Sequence, residues 1–341
     1  MTELEDRLQD AFVPVAQAIA AGRIPGAVLG AATLTETAVH AAGCAQIVPE
    51  PAPMRRDTWF DLASLTKVIF TTTTLLRFAQ AGRVNLDDRL TVAIPDLRQY
   101  DVAGAAERRL TFRQCLTHQT HLPAVEPLYT YGQDPQTLRA FILQRVWSAG
   151  PPVYSDIGFI LLGIAIERLT GLALLEQPVL RGFTFRPDPD LCAATERCTW
   201  RGRVMRGEVH DENAYALGGA SGHAGLFGQA DALLAYAQDI LTGGAYGTTG
   251  LTADSIAVLR NRVGATRSVG WEMAHKGWSG GDTCAPDTIG HTGFTGTGLW
   301  IDCQNGRAWT LLTNRVHPTR HSDSGILALR REVGERLSST G

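Results

Sequence analysis

The sequence predicts an α/β fold of the α+β type, in which an antiparallel sheet is flanked by terminal helices and a helical lobe is inserted. Strand-like runs cluster near both ends of the 341-residue chain, helical periodicity fills its middle, and amphipathic helices open and close it. The two ends should pair as one lobe, residues 1–62 and 255–341, with residues 63–254 as a mainly helical second lobe. A chain of this length can bury two cores, and the cleft between them is the default place for a site.

Apolar side chains at Leu4, Leu8, Phe12, Val15 and Ile19 recur at helical spacing, with Pro14 expected to kink or interrupt that helix and Gly22 to end it. GAVLGAATLTETAVHAAG (26–43) is two β-compatible runs around a polar turn, a hairpin pattern, and the three prolines of 45–57 mark a loop. From Ser64 to Gln80 the chain is apolar on most sides and closes at Gly82, which suits a helix inside the protein. Further helices are expected near 111–118, 135–147, 156–171, 229–242 and 252–260. RSVGWEMA, HTGFTGTGLWID and RAWTLLTNR then read as strands, and DSGILALRREVGERL as a closing helix.

With 31 basic and 34 acidic residues and no basic stripe, nucleic acid is not the expected partner; a small molecule or peptide is. The acidic start MTELEDRLQD lacks the basic region of a secretory signal, so a cytoplasmic location is expected. No apolar run is long enough to predict membrane insertion. The six cysteines show no CxxC spacing, so neither a metal nor a disulfide framework is expected.

Two residues in FDLASLTKVIF invite chemistry. Ser64 and Lys67, three apart on a helix, would have Cβ atoms about 5–6 Å apart, so the amine reaches the hydroxyl. Lysine can serve as the base if burial lowers its pKa from about 10.4 towards 7 or 8. The alternative is a helix cap beside a solvated charge. In VYSDIGFILLG, Tyr154 could relay a proton near that ammonium, or simply pack its ring while Asp156 caps a helix. In GHTGFTGTGLWID, glycines 290, 293, 296 and 298 would let a substrate or another backbone approach, with His291 and Thr292 beside them. GWSGG (277–281) matches the GxSxG pattern, but no helix can follow Ser279, which reads as a loop residue. HDE at 210–212 lacks the PCxxC of a zinc deaminase.

Taken in order, SxxK, then Tyr154, then HTG on a late strand resemble the penicillin-recognising serine hydrolases, and more narrowly the class C β-lactamase and family VIII carboxylesterase branch. LTFRQCLTHQTHLP and GEVHDENAYALGGASGHAGLFG look like family segments too. The resemblance implies a β-lactamase/DD-peptidase-like fold and no cofactor. It implies Ser64 as acylated nucleophile, Lys67 as its base partner and Tyr154 as relay. The backbone N–H groups of Ser64 and Phe294 would form the oxyanion hole, with Asp156, His291, Thr292 and Gly293 contacting substrate. Asp156 stands where asparagine is usual and cannot donate a hydrogen bond when ionised. His291 stands where lysine is usual and weakens a fixed positive charge. Both argue against efficient β-lactam hydrolysis. The expected function is hydrolysis of a carboxylic ester or small amide through an acyl-enzyme. The alternatives are a D-alanyl-D-alanine carboxypeptidase or other D-amino-acid peptidase, a weak β-lactamase, or a non-catalytic binding protein. The polar segment 207–228 either lines the cleft or braces the lobes.

Overall fold

The computed structural model describes residues 2–148 and 150–339. Helix α1 (Glu3–Ala20) opens with a capping box between Thr2 and Glu5. It runs through Pro14 without the break expected there. Proline leaves the carbonyl four residues back without its donor, and Arg336 of the last helix donates to that Asp10 carbonyl at 3.3 Å.

The hairpin strands β1 (Gly26–Ala32) and β2 (Thr37–Gln46) follow, then the short β3 (Ala52–Pro53) and β4 (Phe60–Asp61). A π-helical turn, Lys67–Thr72, leads into α2 (Thr73–Gln80). The middle of the chain supplies α3 (Phe112–Leu116), α4 (Pro135–Gln144), α5 (Asp156–Thr170), β5 (Phe183–Thr184), β6 (Ala194–Cys198) and β7 (Arg203–Arg206). It continues with α6 (Glu212–Ala216), β8 (Phe227–Gly228), α7 (Ala230–Leu241) and α8 (Ala253–Arg260). The last quarter holds β9 (Glu272–Met273), β10 (Ile289–Thr292), β11 (Thr297–Asp302), β12 (Arg307–Thr313) and α9 (Ile326–Ser338).

The main sheet has the order β3-β2-β1-β12-β11-β10-β9, with every neighbour antiparallel. The two ends of the sequence meet at β1 and β12, where Ala27 faces Thr313 and Ala32 faces Ala308. Period-two alternation sorts their side chains. Leu29 and Leu311 join α1, α9, Trp300 and Trp309 on one face, while Val28 and Leu312 join the larger core on the other. That second face is covered by α7, which lies within the segment expected as the helical lobe yet packs on β1 and β12. Gly30 makes this possible, since a Cβ there would lie 2.9 Å from Leu234.

The segment from Ser64 is not the uniform helix expected. Thr72 and Thr73 donate their hydroxyls to the carbonyls of Lys67 and Val68, five residues back, at 2.7 and 3.0 Å. One wide turn therefore sits at the lysine, a feature frequent at functional sites. Helix α5 is buried along Ile157–Ile166 and ends at Gly171 in the left-handed conformation. No helix among the described residues is long and apolar enough to cross a membrane.

Candidate active site

A cleft of about 670 Å³ is lined by Ser64, Tyr154, Asp156, His291, Thr292, Gly293 and Phe294, so the structure brings these sequence-predicted residues together. Lys67 lies beneath its floor, fully buried. Ser279 is elsewhere, in a turn where its hydroxyl accepts from the Trp300 indole at 3.2 Å.

Ser64 is presented by a tight turn. Ala63 takes a positive φ of 47°, unusual for a residue with a side chain, and its N–H donates to Asp61 Oδ1 at 2.8 Å. The other Asp61 oxygen accepts from the His210 N–H at 2.6 Å. Burial raises the Asp61 pKa despite these two donors. The turn is tied to the β10–β11 hairpin by Thr295, which donates to the Asp61 carbonyl at 2.7 Å, and by Thr297, which donates to that of Leu62 at 3.1 Å. Gly293 sits in this seam, where a Cβ would lie 2.2 Å from Thr297 Oγ1 and 2.6 Å from the Leu62 carbonyl. Its smallness serves backbone packing. Gly290 and Gly298 make room for the Trp300 indole.

Lys67 Nζ donates to Ser64 Oγ at 2.9 Å and lies 2.8 Å from Asp156 Oδ1. Burial alone would lower its pKa, but the Asp156 carboxylate and Tyr154 outweigh burial and hold it above the ordinary lysine value. The lowered pKa that a base role for Lys67 would need is not produced by burial here, because Asp156 is close enough to compensate the desolvation and hold the ammonium. Its Nζ also lies over the Tyr154 ring, 4.9 Å from the centroid.

Tyr154 is framed by residues from several elements. His118 packs on its ring at 4.5 Å and His291 at 5.9 Å, while the Arg267 guanidinium lies 5.2 Å from its centroid. His118 Nδ1 accepts from the Ser155 N–H at 3.0 Å, the Ser155 hydroxyl donates to the Pro123 carbonyl at 2.6 Å, and the Asp156 N–H donates to the Ala124 carbonyl at 2.8 Å. The 118–124 segment thus clasps residues 155 and 156. His118 carries no local signal in the sequence, since its neighbours in the chain give no sign of its contact with Tyr154. Burial, reinforced by Arg267 and Lys67, pushes both His118 and His291 well below the usual histidine range, so both are neutral.

Neither the Ser64 nor the Phe294 N–H has an acceptor among the described residues. In the 207–228 segment the cleft-lining residues are themselves braced. Asp211 pairs with His223 at 2.9 Å, Glu212 pairs with Arg320 at 2.5 Å, and His210 meets Glu196 at 3.1 Å. Burial would raise the Asp211 pKa, but His223 and the Ala214 N–H hold it well below the carboxylate range. Lining and bracing, the two alternatives for this segment, are both realised. Arg267, Arg315, Arg320 and Arg330 also stand in the walls of the cleft. Four carboxylates, Asp156, Asp211, Glu212 and Glu272, line the same cleft.

The sequence profile named Beta-lactamase matches residues 10–332. The chain belongs to the Beta-lactamase family. It is accordingly a serine hydrolase with the β-lactamase/transpeptidase-like fold. An N-acetylmuramyl-L-alanine amidase of Bacillus subtilis is 31% identical over 320 residues, covering 80% of this chain and 71% of that protein. A putative D-alanyl-D-alanine carboxypeptidase of Salmonella agona is 30% identical over 320 residues, covering 80% and 72%. Among solved structures, EstCE1, a hydrolase with promiscuous acyltransferase activity, shares the fold with a TM-score of 0.71 at 23% identity, covering 98% of each chain.

Proposed function

We propose that this member of the Beta-lactamase family hydrolyses a carboxylic ester or small amide through an acyl-enzyme on Ser64. The observation that carries the reading is the contact of Ser64 Oγ with Lys67 Nζ at 2.9 Å, at the floor of a cleft that Tyr154 also lines. Lys67, held as an ammonium, stabilises negative charge developing on the serine oxygen. As Ser64 Oγ forms its bond to the substrate carbonyl carbon, its proton passes to the Tyr154 oxygen and the Tyr154 proton passes to the leaving atom. The carbonyl oxygen becomes an oxyanion that the free N–H groups of Ser64 and Phe294 can receive. Expulsion of the protonated leaving group gives the acyl-enzyme. Water then attacks the ester, with Tyr154 taking its proton as its own returns to Ser64.

The names of the two curated relatives favour a second reading, a peptidase or amidase acting on a cell-wall peptide. A fluorophosphonate probe followed by peptide mass mapping tests the acyl-enzyme. An adduct on Ser64 that Ser64→Ala abolishes is expected; labelling of Ser279, or no adduct together with no turnover of a p-nitrophenyl ester panel, would overturn it. Release of D-alanine from a pentapeptide without ester hydrolysis would select the second reading.

A further inference from the structure

One carboxylate in the cleft wall is fixed from behind by buried groups and left free in front. Asp211 Oδ1 accepts from the Ala214 N–H at 2.8 Å as the cap of α6, and it also meets His223 Nε2 at 2.9 Å. The other ring nitrogen of His223 meets the Ser221 hydroxyl at 3.0 Å. His223 and Ser221 are 1% and 2% exposed, so this serine cannot reach a substrate and serves to orient the imidazole. With the Ser221 hydroxyl donating to Nδ1 and Nε2–H donating to Asp211, both ring nitrogens are satisfied in a neutral imidazole. Asp211 Oδ2 has no hydrogen-bond partner among the described residues, although the residue lines the cleft.

A helix cap alone needs one oxygen and no histidine. Burial would raise the Asp211 pKa, but His223, the Ala214 N–H and Lys67 hold it well below the carboxylate range, so it is ionised at neutral pH. The neighbouring cations are otherwise engaged. Lys67 is matched by Asp156 at 2.8 Å, Arg201 donates to the Asp211 main-chain carbonyl at 3.3 Å and not to the carboxylate, and Arg320 is shared between Glu196 and Glu212. The carboxylate is also tied to the nucleophile. His223, whose ring holds Asp211, offers its carbonyl to Lys67 Nζ at 3.4 Å, and the same Nζ meets Ser64 Oγ at 2.9 Å. Tyr154, which serves the leaving atom, is framed by a different set, His118, His291 and Arg267.

We infer that Asp211 is an anchor for a protonated amine on the acyl part of the substrate, whose class is then an aminoacyl ester, an aminoacyl amide or a peptide with a free amino terminus. An ammonium on Oδ2 makes a charge-assisted hydrogen bond to a carboxylate already held in place. This deepens the acyl-enzyme reading and rests on it for the position of the acyl part, but the anchor can be tested without turnover.

The test uses the full chain carrying Ser64→Ala, titrated calorimetrically at about pH 6.5, where an α-amino group is protonated. The probes are both enantiomers of phenylalaninamide, and hydrocinnamamide, which lacks only the amine. One charge-assisted hydrogen bond gives a preference for the amine of about tenfold or more in at least one enantiomer. Adding Asp211→Asn keeps an oxygen for the Ala214 N–H and for His223, and should abolish the preference while leaving hydrocinnamamide binding unchanged. Asp231→Asn, which removes a carboxylate from the surface pair with Arg56, should retain it. N-aminoethyl hydrocinnamamide, with its amine on the leaving side, should bind no better than the neutral amide. Equal binding of phenylalaninamide and hydrocinnamamide, a preference that survives Asp211→Asn, or an equal gain from the amine on the leaving side would overturn the inference. Because Ser64 is absent from the assay, preserved discrimination alongside a native chain that the fluorophosphonate fails to label would refute the acyl-enzyme and keep the anchor. Labelling of Ser64 without discrimination would do the reverse.

Discussion

Lys67 Nζ lies 2.8 Å from Asp156 Oδ1, and this contact keeps a fully buried ammonium charged. Removing the carboxylate leaves Tyr154 alone to oppose burial, so Asp156→Asn should lower the Lys67 pKa. If the ammonium is the active form, the alkaline limb of the acylation rate moves to lower pH in the variant; movement of an acid limb instead would reinstate Lys67 as the base. The stability signs follow from linkage. In the native protein the lysine is raised above its unfolded value of about 10.4, so its contribution is fully present below that pH and lost only above it. Asp156→Asn is expected to bring the folded value below the unfolded one, so that stability rises as pH climbs towards 10. Urea denaturation should show a loss of about 3 kcal/mol at pH 7 that shrinks by pH 10.

Much of this site was legible because its parts sit in local patterns. The SxxK spacing, a tyrosine opening an apolar helix and a glycine-punctuated strand each carry a signal over a few residues, and the terminal strands announce a shared sheet. What was not legible depends on approach in space. The wide turn at Lys67 is set by hydroxyls in a threonine run, and the charge of Lys67 by an aspartate 89 positions away in the chain. The arginines of the cleft, Arg267, Arg315, Arg320 and Arg330, come from separate places in the last quarter of the sequence. Gly293 was visible as a point of close approach, but the approaching group, the Leu62 carbonyl, was not.

His118 should act as a positioning residue for Tyr154. His118→Phe keeps a ring against Tyr154 and Phe159 but loses the acceptor for the buried Ser155 N–H. An unsatisfied donor of this kind costs about 1–3 kcal/mol. With Tyr154 less firmly held, kcat should fall while KM is kept. His118 is depressed below the unfolded histidine value, so the native protein binds fewer protons and loses stability as pH falls through about 6.5. Denaturation at pH 7.5 and pH 5 should show a smaller acid-side loss in His118→Phe than in the native chain. A loss of equal size would remove the titrating role assigned to this side chain.

The two glycines before and after His291 and Thr292 give a test that separates site geometry from packing. At Gly293 a methyl group would collide with Thr297 Oγ1 and the Leu62 carbonyl, forcing the hairpin away from the turn that presents Ser64. At Gly290 it would lie 2.4 Å from the Trp300 ring, on the side of the sheet packed by α1 and α9. Both substitutions overpack a buried seam, so each alanine should cost about 1–3 kcal/mol in thermal or urea unfolding. Their effects on catalysis should differ. Gly293→Ala moves the Phe294 N–H relative to Ser64 and should lower acylation by about 100-fold, the cost of one oxyanion donor. Gly290→Ala should retain acylation within about threefold of the native rate at temperatures where it stays folded, since its clash is relieved towards Trp300. Equal losses of acylation in the two variants, measured by stopped-flow with an activated ester, would show that the seam at Gly293 has no special part in aligning the hairpin with Ser64.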